Sequence, residues 1–252
     1  MILLKVIAAF LVIQVIKVHG HRAKESDFPF FVSVNMRSSH GFKFRCGGVL
    51  VKDNYVLTTA TCVVDGTKDD YQVVVGTISI NPNTKNINEQ RPSISTILFH
   101  NRFNKKTYEH DLAILKLKNG VKLNKYVRII ELPEPHENPS KGNMDQFVVG
   151  YEYMFSYGLQ YFKGHVIFNE YESKYYFNNE EEEAIMSADV CVEKSGDGYK
   201  LIGFDNVGAI SHVSPDVNWI KNNIVNNAEE DIIQCREECF KSCYGKSTND
   251  YM

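Results

Sequence analysis

The sequence predicts an all-β fold closed by one helix, and three observations carry that reading. Short apolar runs rich in β-branched and aromatic residues recur from Phe28 to about Gly203, separated by polar or Gly- and Asn-containing breaks. Regular strands of this length argue for a sandwich or barrel. No repeat of fixed period is present, which argues against a solenoid or propeller. After Pro215 the apolar positions change to helical spacing, at Val217, Ile220, Ile224, Val225, Ala228 and Ile232.

Taken in order, the strand candidates centre on residues 30–34, 55–57, 71–75, 94–98, 112–115 and 147–149. Each joins Val, Ile, Phe or Tyr to an alternating polar partner or to a fully apolar stretch, as a half-buried or buried strand requires. The run Asn178-Asn179-Glu180-Glu181-Glu182-Glu183 reads as a solvated loop, because it lacks the spaced ligands and glycine of a calcium loop. Asn138-Pro139-Ser140 has proline in the position that disqualifies a glycosylation sequon.

Composition narrows the function classes. The chain has 252 residues, a formal net charge of -3 and a pI near 6.2. Nothing in that balance favours nucleic acid or an anionic membrane surface, so neither is expected as a partner. Residues 1–20 hold an early lysine, an apolar segment over 6–16 and a small residue, Gly20, at a cleavage-like point, which is the pattern of a signal peptide. The expected organisation is a leader over 1–20, one domain over 21–227 and a cysteine-containing extension over 228–252. Six cysteines after such a leader point to an oxidising, extracellular setting and to disulfides.

Two motifs locate the candidate site. The first is Cys46-Gly47-Gly48-Val49-Leu50, followed by Tyr55-Val56-Leu57-Thr58-Thr59-Ala60-Thr61-Cys62. The second is His110-Asp111-Leu112-Ala113-Ile114-Leu115-Lys116-Leu117. Together with Asp216-Val217-Asn218-Trp219-Ile220, these segments resemble those of the chymotrypsin/trypsin family of serine proteases. The resemblance implies two six-stranded antiparallel β-barrels with a C-terminal helix, here followed by the cysteine-containing tail. It also implies a Cys46–Cys62 disulfide. Cys191, Cys235, Cys239 and Cys243 are expected in disulfides too, and their pairing stays open.

The same resemblance implies a degenerate site. Thr61 stands where the family carries its histidine, and a threonine hydroxyl cannot accept and return a proton near neutral pH as imidazole does. Asp111 matches the aspartate that orients that histidine. Ser195-Gly196-Asp197-Gly198 reads as the nucleophile region, with Gly198 in place of the serine. Lys17 falls where active members expose a new amino terminus. The expectation is therefore a secreted, inactive protease homologue without cofactor or metal, acting by binding a protein as a cascade regulator, decoy or venom or salivary effector. The alternative is a hydrolase of unrecognised mechanism built from Asp111, His100, His110, His165 or His212.

Overall fold

In a computed structural model, the described residues are 20–80, 86–151, 158–179, 190–206 and 208–224. Thirteen strands and two short α-helices occur among them. The strands are β1 (His21–Arg22), β2 (Phe31–Ser38), β3 (Gly41–Lys52), β4 (Tyr55–Thr58), β5 (Tyr71–Val75), β6 (Ile94–Phe99) and β7 (Ala113–Leu117). They continue with β8 (Gln146–Tyr151), β9 (Leu159–Asn169), β10 (Lys174–Asn179), β11 (Val190–Ser195), β12 (Gly198–Asn206) and β13 (Ala209–His212). The helices are α1 (Ala60–Val63) and α2 (Val217–Asn223). The chain divides into two compact units, Met1–Val217 and Asn218–Met252.

All strand pairings are antiparallel within two sheets. The second sheet runs β1-β9-β10-β13-β12-β11-β8, and a further β9–β8 pairing closes six of its strands into a barrel. The first sheet runs β5-β2-β3-β4-β7-β6. The last residue of β5, Val75, forms an isolated bridge with Gln90, on the segment that precedes β6, instead of a full ladder. Pro92, just before β6, has no amide hydrogen to continue that pairing. The all-β class is as expected from sequence, with one closed barrel and one half-barrel.

Burial explains the apolar runs. Val32, Val34, Leu50, Val56, Val73, Val75, Leu115 and Leu117 fill the core of the first sheet. Val148, Val166, Cys191, Ile202 and Ile210 fill that of the second. Strand β4 is buried on both faces, whereas β3 alternates in its exposed first half and is buried through its second. A cluster of rings around Phe28, Phe30, Phe147, Tyr161 and Tyr199 adds edge and tilted aromatic contacts.

The Cys46–Cys62 disulfide is present, with Cα atoms 6.2 Å apart. Cys191 departs from the expectation of a disulfide. It is a free, fully buried thiol on β11. Its cross-strand neighbour on β8 is Val148, so the position is an apolar core site where cysteine behaves as a small hydrophobe. Cys235, Cys239 and Cys243 lie outside the described residues, as do residues 1–19 of the leader, Glu180 to Glu183 and the helix positions beyond Ile224. The helix expected after Pro215 is α2, preceded by a 3-10 turn over Ser214–Asp216 with Pro215 in its opening positions.

Candidate functional site at Thr61 and Asp111

Thr61 and Asp111 are brought together by α1 and by the loop entering β7. Helix α1 starts after Thr59, whose side chain makes no capping hydrogen bond. Asp111 caps it instead, from fifty positions away in sequence. The Thr61 amide donates to Asp111 Oδ1 at 2.7 Å, and the Thr61 hydroxyl donates to Asp111 Oδ2 at 2.7 Å. A carboxylate at a helix N-terminus is favoured by the unpaired amides and by the helix dipole.

Asp111 is 1% exposed. Burial pushes its pKa above the usual carboxylate value, opposed by the Thr61 hydroxyl and the amides of Thr61 and Ala60. Both carboxylate oxygens are thus engaged by one residue. With its proton directed at Asp111, the Thr61 hydroxyl is not a group that takes a proton from an attacking nucleophile at neutral pH as an imidazole does.

Gly198 is not part of this pair, which corrects the expectation that it holds the nucleophile's place. Ser195 and Gly198 pair across the turn joining β11 to β12, with Gly196 at φ 52°. The opposite end of β11, at Val190, is the one near Gly47. A Cβ on Gly47 would meet Val190 Cγ2 at 3.2 Å, and the Gly47 carbonyl accepts the Thr58 hydroxyl at 2.8 Å. Five residues of strand separate Val190 from Ser195, roughly 17 Å at the usual rise. Residues 180–189, which lead into Val190, lie outside the described residues. Ser187 is the hydroxyl-bearing residue of that segment. The Gly-Asp dipeptide at 196–197 is composed like a nucleophile loop because turns favour the same residues.

Ser195 itself donates to Glu131 Oε2 at 2.7 Å on the surface. The histidines of the alternative reading separate into two groups. His165 and His212 lie on β9 and β13 of the second sheet. His212 is held neutral by burial, its pKa pushed down to about 4. His100 and His110 come together on the connection from β6 to β7, with ring centroids 4.7 Å apart, and both face Asp216. Asp216 was read from sequence as helix entry alone. Its separation from His110 by 106 positions leaves no local signal.

The Trypsin family model matches residues 17–203. The chain belongs to the trypsin family. A segment of 145 residues is 33% identical to a protein described as venom peptide isomerase heavy chain from Agelenopsis aperta, covering 57% of this chain and 58% of that one. Chymotrypsin-like elastase family member 1 of Rattus norvegicus is 32% identical over 46% of this chain and 43% of its own length. Serine protease snk of Drosophila melanogaster is 32% identical over 46% of this chain and 28% of its own. The chain therefore spans between 28% and 58% of these trypsin-family relatives.

Proposed function

We propose that this trypsin-family chain is a secreted protein without peptide-hydrolase activity that acts by binding another protein. The observation that carries the reading is the Thr61 hydroxyl donating to Asp111 in a place that resembles the family's histidine–aspartate pair. Without a base there, proton transfer to and from the reacting groups has no agent, and base loss in such sites removes several orders of magnitude of rate. Secretion is supported by the leader-like residues 1–20 and by the Cys46–Cys62 disulfide. Among the described residues no helix is long and apolar enough to cross a membrane. A venom or salivary setting is supported by one relative, the venom peptide isomerase heavy chain.

The test is hydrolysis of peptide esters and amides spanning basic, aromatic and small residues at the cleavage position, together with labelling by a serine-directed phosphonate. The expected outcome is neither turnover nor labelling, in the wild type and in Ser187→Ala alike. Turnover or labelling that disappears in Ser187→Ala would overturn the proposal.

A further inference from the structure

Three metal-ligating side chains from distant parts of the first compact unit converge beside the candidate site. His100 directly follows β6, and its amide donates to the Leu112 carbonyl at 2.9 Å, which fixes it to the entry of β7. His110 lies on the same connection at φ 51°, a left-handed conformation unusual for a residue with a side chain. Asp216 ends the 3-10 turn before α2. His100 Nε2 is 3.4 Å from Asp216 Oδ1, while His110 Nδ1 is 2.9 and 3.0 Å from its two oxygens. Each ring has a nitrogen beside the same carboxylate; the rings are stacked with planes 12° apart, so His110 must turn out of the stack for one ion to lie in the plane of both imidazoles. One donor atom from each of the three residues lies within 4.8 Å of the other two.

We propose that His100 Nε2, His110 Nδ1 and a carboxylate oxygen of Asp216 form a zinc site, with water in the fourth position. Zinc takes imidazole and carboxylate donors at about 2.0–2.2 Å in a tetrahedron, which puts neighbouring donors roughly 3.3 Å apart. The His100–Asp216 edge, at 3.4 Å, already has that length. The His110–Asp216 edge opens slightly from 2.9 Å, and the edge between the histidines closes from within 4.8 Å. His110 is the ligand free to adjust, since its side chain is 27% exposed against 1% for His100 and 6% for Asp216. The exposed side of His110 also gives the fourth position access to water. Calcium and magnesium, which take oxygen donors, do not suit this set.

Two features set the affinity. The Arg102 amide donates to His100 Nδ1 at 3.2 Å, which places the ring proton of the neutral imidazole on Nε2, toward Asp216. Zinc binding moves that proton to Nδ1 and turns the Arg102 amide away. Binding through His110 Nδ1 likewise requires that ring's proton to sit on Nε2. Arg102 Nη2 lies 3.5 Å from Asp216 Oδ1 with its side chain 65% exposed, and it must yield to the ion. The site therefore binds in the micromolar range and not as tightly as a pre-organised structural zinc site. The bound ion would tie the β6–β7 connection, next to Asp111, to the turn that opens α2.

The experiment is calorimetric titration of zinc chloride into the full chain at neutral pH, with Cys235, Cys239 and Cys243 replaced by serine so that tail thiols do not compete. One ion per chain is expected, with a micromolar Kd and a rise in melting temperature. His110→Ala should weaken binding at least tenfold and abolish the rise, Arg102→Ala should tighten it, and His40→Ala, which removes an exposed imidazole elsewhere, should leave it unchanged. Asp216→Asn should also weaken it, and if that variant does not fold, His110→Ala and Arg102→Ala decide. Absence of binding by the folded protein at millimolar zinc, or binding undiminished in His110→Ala, overturns the site.

Discussion

The amide and hydroxyl of Thr61 each lie 2.7 Å from a different oxygen of Asp111. One residue thereby engages both oxygens of a buried carboxylate at a helix start. Thr61→Val keeps the shape and the amide bond but removes the hydroxyl donor. Hydrogen bonds to a charged group are worth about 1.5–3 kcal/mol, and a loss of that size should appear in urea unfolding at neutral pH. A change below about 0.5 kcal/mol would show that the hydroxyl does not hold Asp111.

Gly198 should behave as a turn residue. A Cβ there would meet Ser195 O at 3.6 Å, ordinary contact. Gly198→Ser is expected to shift stability by less than about 0.5 kcal/mol and to confer no phosphonate labelling, alone or with Thr61→His. Labelling of the added serine would return Gly198 to the nucleophile's place.

Gly203 is the opposite case. A Cβ on it would lie 2.2 Å from the Ser211 carbonyl oxygen and 2.9 Å from Ile210 Cγ2, because β12 and β13 approach closely at this point. A backbone atom cannot move aside as a side-chain end can. Gly203→Ala should cost about 3 kcal/mol or more, measured as a drop in the urea midpoint.

Cys191 should resist alkylation in the folded protein. It is fully buried, and burial together with the charges of Asp205 and Glu193 raises its thiol pKa well above the ordinary value. Mass mapping after iodoacetamide treatment should find it unmodified under native conditions and modified after unfolding without reductant. A Cys191 crosslink in the unreduced peptide map would instead establish a disulfide.

His212 gives the fold an acid sensitivity. Its pKa falls from the usual 6.5 to about 4 because burial disfavours the imidazolium. The unfolded chain then binds more protons than the native one between these values, so stability is full above pH 6.5 and declines as pH falls toward 4. The loss should approach roughly 3 kcal/mol, and His212→Phe, which keeps a ring against Tyr175, should flatten that part of the profile. An unchanged slope in the variant would exclude His212 as the source.

Strand runs such as those of β2, β5 and β7 were legible in the sequence because burial imposes its pattern on neighbouring residues. The Cys46–Cys62 bridge and the Thr61 and Asp111 positions were legible as well, through motifs of contiguous residues that carried a family resemblance. Three matters were decided by tertiary structure. Ser195-Gly196-Asp197-Gly198 has the composition of both a catalytic loop and a hairpin turn, and pairing of β11 with β12 made it the turn. Cys191 became a core thiol because strand register placed Val148 opposite it. His100, His110 and Asp216 met through the packing of a loop against a turn more than a hundred residues away, at positions no periodicity could mark. Local pattern reports what neighbours in the chain must do, whereas a side-chain cluster depends on which surfaces the closed and half-closed sheets bring together.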